Sequence, residues 1–431
     1  MNELTGSIFP RHRKTFVTIS AALLAFLAYS SVYAFRKPFT VATFEGIQYW
    51  GVTYQTLLII CQVLGYMLSK FAGIKLISEL KSLGRFRMAV TLIVLAWLCL
   101  LLFAIMPAPF GLLCLFVNGF TLGFLWGIVF SYMEGRRATD LIGSVLAVSF
   151  IFAGGFTRSV AKWLMINYQV TERWMPFFTG LIFILPLVVL LWGLDKIPPP
   201  DASDQAERGV RLPLDHMGRK NLLKEFGPGL AVVTMTYFFL TVMRDIRDNY
   251  MANIWNELGY GNNFSILTTT ETVTSLVVIS VMGLLVLIRK NMRAFAIIHF
   301  VIIGGFLVVV IASLLFSAGK LSGALWMQLI SVGLYLGYIP FNCIFFERMI
   351  ATYRITGNVG FLIYLADSFG YLGSVTIMLV KEFMQVNVSW SQFYASGVVY
   401  GSAAGIIGAA FSYYYFLSKY RTQKPGLATS M

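Results

Sequence analysis

Residues Thr15 to Phe39 read TFVTISAALLAFLAYSSVYAFRKPF. From Thr15 to Phe35 the run carries no charge, and a helix of about 20 such residues crosses a hydrocarbon core about 30 Å thick. It ends on Arg36 and Lys37. Tyr29, Tyr33 and Arg36 stand four and three residues apart, which places them on one helical face. The same spacing returns in the second half as Tyr237, Thr241 and Arg244. Lys14 precedes Arg36 by 22 residues and Lys224 precedes Arg244 by 20, so the two arginines are expected at similar depth on symmetry-related helices. Arg11, Arg13 and Lys14 before the run, and Val32-Tyr33-Ala34 near its end, have the look of a cleaved leader. The recurrence of the pattern reads the run instead as a retained helix.

Composition extends this reading to the whole chain. Of 431 residues, 58% are hydrophobic and 12% charged, against about 25% charged in a soluble domain. The mean hydropathy is +0.76. Lipid is therefore the expected main solvent. Twelve apolar runs follow, numbered here as spans 1 to 12: Thr15–Phe39, Tyr54–Leu76, Met88–Met106, Phe110–Met133, Leu141–Ile166, Met175–Leu194, Pro228–Tyr250, Phe264–Ile288, Ala294–Ala318, Gly323–Phe346, Gly357–Val380 and Ser391–Leu417. The expected fold is an all-α membrane protein with twelve transmembrane helices in two pseudo-symmetric six-helix bundles. The bundles are residues 1–195 and 227–431, joined by a polar linker, 196–226, that carries Pro198-Pro199-Pro200.

The net charge of +14 invites a nucleic-acid reading, but the basic residues cluster in short segments between apolar runs. Outside the spans, 22 Lys and Arg residues fall on one side and only Arg173, Lys320 and Lys381 on the other. Such asymmetry places both termini in the cytoplasm and the chain in a cell or inner membrane. Spans 4 and 10 repeat each other too. Gly119, Gly123, then Glu134 and Arg136-Arg137 in one match Gly333, Gly337, then Glu347-Arg348 in the other. Internal symmetry of this kind marks two-bundle transporters. The four cysteines, Cys61, Cys99, Cys114 and Cys343, lie in apolar runs without ligand spacing, and His12, His216 and His299 are scattered. Neither a metal nor a cofactor is expected, and no nucleophile–base pair suggests an enzyme.

Charges inside the spans are the candidate site. Arg36, Lys37, Lys70, Arg158, Arg244 and Arg247 face Asp245, Asp248, Glu271 and Asp367, and one such charge facing lipid costs roughly 2.5–3.5 kcal/mol. Lys75 and Lys162 lie near span ends, where they can snorkel. The bland alternative is a set of ion pairs that only tie the bundle together. The functional one is an anion site in which Arg36 and Arg244 give bidentate hydrogen bonds to a phosphate ester or carboxylate. Tyr33, Lys37, Tyr66 and Lys70 are the expected further contacts. Depth counting pairs Arg158 of span 5 with Glu271 of span 8 as an outer gate, with Glu271 meeting Arg36 or Arg244 as the alternative. Asp248 and Asp367 complete the gating or coupling set, and Asp367 is expected to offset Lys70.

These residues resemble the major facilitator superfamily, and within it the organophosphate:phosphate antiporters. Tyr33-Ala34-Phe35-Arg36-Lys37-Pro38-Phe39 looks like that family's Tyr-x-x-Arg-Lys-x-Phe. Tyr66-Met67-Leu68-Ser69-Lys70-Phe71 is similar to its Tyr-x-x-Ser-Lys-Phe, and Gly119, Gly123 and Trp126 match on span 4. Arg244, Glu271 and the stretch Phe369-Gly370-Tyr371-Leu372-Gly373 add likeness in the second half. The resemblance implies alternating access, with Arg36 and Arg244 gripping a phosphate moiety. Departures bear on the substrate. The family's span 5 histidine falls near Phe150 or Ile151, and its span 7 aspartate falls at Asn249, beside Asp248. The expected partners are a small anionic substrate and the lipid bilayer, with no nucleic acid and a monomer as working unit. A proton-coupled carboxylate symporter and a non-transporting membrane sensor of the same fold are the alternatives.

Overall fold

The computed structural model describes residues 8–78, 84–133, 139–198, 216–353, 359–383 and 389–423. The Glu134–Arg137 segment of the span 4 repeat and linker residues 199–215 lie outside the described residues. Long helices fall on all twelve expected spans, and eleven of them are long and apolar enough to cross a membrane. Bulky apolar side chains such as Leu185, Ile311 and Ile407 stand exposed on the helix exteriors. Lipid is the solvent that makes such a surface stable.

Four spans are not continuous helices. Span 1 runs Ile8–Val32, then two 3-10 turns, Tyr33–Phe35 and Pro38–Val41. Pro38 accounts for the break: proline has no N–H to give to the turn below, and it disfavours helical geometry at the preceding residue. Lys37 nonetheless keeps a right-handed helical backbone, with φ −102° and ψ −20°, so the missing N–H of Pro38 is what interrupts the ladder. The unbroken helix to Phe39 expected from hydropathy is thus corrected, and Arg36 sits in the break. Span 7 runs His216–Asn249, is interrupted at Tyr250 (φ −108°, ψ 18°) and resumes as Met251–Glu257. Spans 4 and 10 repeat the feature, with Ala108–Gly123 and Leu125–Ser131 in one and Gly323–Cys343 and Phe345–Tyr353 in the other. Pro340 inside span 10 removes one helical hydrogen bond just before its break.

Spans 2 and 4 pack together most extensively in the first half. A methyl group on Gly119 would lie 2.1 Å from the Gln62 carbonyl oxygen, so only glycine permits this approach. The second half meets the first along two seams, span 5 against span 8 and span 2 against span 11. At the first seam a methyl on Gly155 would lie 2.1 Å from the Leu267 carbonyl oxygen. Gly304, by contrast, has open space around it. Gly119→Val is expected to destabilise by about 1–3 kcal/mol through overpacking, whereas Gly304→Val leaves stability near the parent's. Melting temperatures of the detergent-purified proteins check the pair.

Candidate functional site

Ten charged side chains are buried among the described residues: Arg36, Lys37, Lys70, Arg158, Arg244 and Arg247 against Asp245, Asp248, Glu271 and Asp367. Six basic against four acidic groups leave a formal surplus of two positive charges.

The break in span 1 sets the first part of the site. Helix ends leave carbonyls without partners, and here two polar side chains from neighbouring spans supply them. Asn118 Nδ2 donates to the Phe35 carbonyl at 3.1 Å, and Gln62 Nε2 donates to the Arg36 carbonyl at 3.0 Å. Gln62 also donates to Asn118 Oδ1 at 2.8 Å, which locks the two together. The Arg36 guanidinium lies 3.8 Å from the centroid of the Tyr66 ring and 6.0 Å from that of Tyr33. Tyr66 is twelve residues into its helix from Tyr54, or about 18 Å along it. That puts the guanidinium near mid-depth, lower than counting along span 1 suggests. Among the described residues no carboxylate lies within 4.0 Å of Arg36, and its Nε has no hydrogen-bond partner.

Arg244 is placed differently. Its guanidinium stands 4.2 Å from the Tyr338 ring centroid, 2.7 Å from Asp245 Oδ1 and 3.6 Å from Asp248 Oδ2. The Asp245 contact is close but misaligned, because Arg244 Nη2 makes no hydrogen bond. Asp245 is held by Ser374 Oγ at 2.8 Å and Asp248 by Tyr335 Oη at 2.9 Å. Tyr371 joins the two arginines. Its ring packs edge-on against Tyr66 at 5.6 Å, and it lies in electrostatic reach of both Arg36 and Arg244. Tyr33 reaches both as well. Asp367 accepts a hydrogen bond from Tyr237 Oη at 2.5 Å and is in electrostatic reach of Lys70 and Arg244. Lys70 Nζ is 4.8 Å from the Tyr66 ring centroid.

The ion pair expected between Arg158 and Glu271 is not formed. Glu271 pairs with Arg247 of its own half at 2.5 Å and accepts from Ser331 Oγ at 3.4 Å. The reason is close packing: the Glu271 stem lies tight against Gly155, and its carboxylate extends past span 5 toward span 7. Nor does Glu271 form an ion pair with Arg36 or Arg244. Arg158 instead donates to the carbonyl of Asp248, to Thr40 Oγ1 at 3.0 Å and to the Gly154 carbonyl at 2.9 Å. The break at Tyr250 leaves carbonyls at the end of the helix, and Arg158 caps one of them from the other half. Cations suit that end of a helix.

Lys37, expected to touch substrate, also crosses between halves, donating to Asn249 Oδ1 at 2.8 Å. Gln55 and Asn253 exchange hydrogen bonds at 3.1 and 3.2 Å, Thr56 and Tyr250 share one at 2.7 Å, and Lys162 Nζ donates to Asn256 at 3.1 Å. Ser159 Oγ reaches the Phe264 carbonyl at 2.6 Å. All these bridges join the ends of spans 1, 2, 5, 7 and 8 that lie away from the basic clusters, so that end is closed. Sequence reasoning missed Arg247 as the partner of Glu271, Asp245 beside Arg244, and Tyr338 beneath it. Four charges within Arg244–Asp248 were the available signal for the first two; Tyr338 carried none.

A family model matches residues 38–419, described as "Family of unknown function (DUF5690)". The chain belongs to that family. No curated protein matches it. Among solved structures, this DUF5690 member is similar to a D-xylose-proton symporter, with 13% identity, TM-score 0.63 and coverage of 92% of this chain and 96% of that one. It is similar to the nucleoside transporter NupG, solved as a mutant, with 12% identity, TM-score 0.62 and coverage of 93% and 99%. It is also similar to the major facilitator superfamily proton:xylose symporter XylE bound to 6-bromo-6-deoxy-D-glucose, with 14% identity, TM-score 0.61 and coverage of 93% and 96%. The fold is that of the major facilitator superfamily.

Removing one partner of a buried ion pair costs about 3–5 kcal/mol, whereas replacing both by apolar groups is often neutral. Glu271→Gln should therefore lower the melting temperature of the purified protein markedly. Glu271→Met combined with Arg247→Met should recover most of the loss. Additive losses would show that the two residues do not act as a pair.

Proposed function

We propose that this DUF5690 member is a secondary active transporter that exchanges small organic anions, phosphate esters or similar, across a cell or inner membrane by alternating access. The observation that carries the reading is the buried surplus of two positive charges, with Arg36 lacking any carboxylate within 4.0 Å. A cation on a tyrosine face gains roughly 0.5–2 kcal/mol, while desolvating an ion costs several. The Tyr66 ring therefore does not compensate Arg36. A bound anion with two or more oxygens does, because guanidinium groups present paired donors in a fixed fork. The Tyr66 ring holds the plane of Arg36, whose edge meets no carboxylate, whereas Arg244 stays beside Asp245 and Asp248 and adds its charge from the other half. Tyr33, Tyr66, Lys70 and Tyr371 are the proposed neighbours of the anion.

The proposed cycle uses the closed end. Lys37, Gln55, Thr56 and Arg158 of the first half grip residues 248–253 of span 7, and opening toward the outside breaks these bonds. Arg158 and Lys37 thereby act as gate residues rather than substrate contacts. The gate binds carbonyls and amides instead of carboxylates, so its breaking exposes groups that water solvates readily. Both termini are cytoplasmic in this proposal, and the working unit is a monomer. The 2.5 Å hydrogen bond between Asp367 and Tyr237, beside Lys70 and Arg244, supports a second reading. There Asp367 carries a proton and the cycle is symport of a carboxylate.

Uptake of a labelled phosphate ester into proteoliposomes separates the readings. Exchange requires an internal counter-anion and is indifferent to an imposed pH gradient; uptake that follows the pH gradient without internal anion selects the symporter. Binding without uptake in any condition contradicts both. Arg36→Lys and Arg244→Lys keep the charge but lose the fork, and each should cut anion affinity at least tenfold, about 1.4 kcal/mol, by calorimetry. Parent-like affinity in both would place the site elsewhere. Cysteines at Gln55 and Asn253 should cross-link readily in the closed form, and a ligand that opens the outside should abolish the link.

A further inference from the structure

Next to Arg36 the first half presents a continuous aromatic wall. Tyr33, 6.0 Å from the guanidinium, has the Phe150 ring 6.4 Å away and inclined by 27°. Phe150 lies 4.6 Å from Trp126, and the Tyr29 ring meets Tyr33, Trp126 and Phe150 edge-on at 5.8, 5.2 and 5.4 Å. Tyr29 and Tyr33 are buried, whereas Trp126 and Phe150 each keep part of their surface uncovered. That surface does not face lipid. The exposed row on span 1 is Phe16, Ile19, Leu23 and Leu27, and Tyr29 and Tyr33 lie off that row and are buried. On span 4 the exposed row is Phe110, Leu113 and Val117. Trp126 follows the interruption at Phe124 and turns toward spans 1 and 5, where its ring meets Tyr29 and Phe150. The wall beside Arg244 is chemically different: Tyr338, Tyr237, Asn342, Asp367 and Asp245 offer hydroxyl, amide and carboxylate groups.

We propose that the aromatic wall is the subsite for the carbon part of the anion, and that the substrate carries a flat ring close to its charged group. Phe150 and Trp126 are the specificity-determining residues. The inference rests on the anion reading above and narrows it. The charge is fixed between Arg36 and Arg244, which Tyr33 and Tyr371 both reach. A ring attached to it then lies on Phe150 and Trp126, where face and edge contacts between aromatic groups add to the area buried. A short aliphatic ester leaves the two rings uncovered and gains nothing from them.

Calorimetry on the full-length purified protein with inorganic phosphate, methyl phosphate, cyclohexyl phosphate and phenyl phosphate tests this. Phenyl phosphate should bind about tenfold or more tighter than methyl phosphate, and tighter than cyclohexyl phosphate, whose ring is puckered. Phe150→Ala should bring phenyl phosphate down to the methyl phosphate level and leave inorganic phosphate unchanged, which also shows that the variant is folded. Trp126→Phe, a milder change, should retain an intermediate preference, and the comparison of the four probes on the parent stands without any variant. Equal binding of phenyl and methyl phosphate overturns the inference while the anion reading survives. Absence of binding by all four, inorganic phosphate included, overturns both.

Discussion

A cation placed inside a helical bundle in lipid has to meet a carboxylate, a backbone or amide oxygen, an aromatic face, water or an incoming ligand. The six buried cations among the described residues divide among these fates. Arg247 has Glu271, Arg244 has Asp245 and Asp248, and Arg158 and Lys37 have backbone and amide oxygens of span 7. Lys70 lies within electrostatic reach of Asp367. Arg36 has two tyrosine rings and an unpartnered Nε. The anion reading follows from that distribution more than from the identity of any single residue.

The backbone makes the distribution possible. Continuous helices satisfy their own carbonyls and leave charged side chains nothing but each other. Interrupting spans 1 and 7 frees carbonyls in the interior, and each interruption recruits polar side chains from a different helix. Gln62 and Asn118 complete span 1 from within the first half and fix Arg36 at mid-depth. Arg158 completes span 7 from across the interface, so the integrity of that helix end depends on the two halves meeting there. One backbone irregularity thus holds Arg36 within the first half, and the other ties the two halves together.

The spans and their number were legible from hydropathy, because a lipid-crossing helix needs a length of apolar residues that nothing else in such a chain provides. The glycine pairs of spans 4 and 10 were equally plain, and they do lie at close helix contacts. Pro38 is the sequence signal for the helix break at Tyr33, but the apolar run continues through the break and masks it. The break at Tyr250 has no proline and left no such trace. Depth counting sets Arg158 and Glu271 at one level, whereas in the structure Glu271 pairs with Arg247. Depth is set by residue number, whereas partner choice depends on helix rotation and on how closely Gly155 lets span 8 approach. Arg247, one turn beyond Arg244, was in view but had no feature that tied it to Glu271 until the spans were packed.

The structural neighbours are named for neutral solutes, xylose and nucleosides, and charge is what sets the proposed substrate of this chain apart from them. A ligand that binds the folded state raises its melting temperature, and the rise grows with ligand concentration. The direct measurement is therefore the melting temperature of the purified protein against rising concentrations of phenyl phosphate, inorganic phosphate, xylose and uridine. A concentration-dependent rise with the phosphates, absent with xylose and uridine and lost in Arg36→Lys, is the result predicted. A rise with the neutral solutes and none with the anions would contradict it.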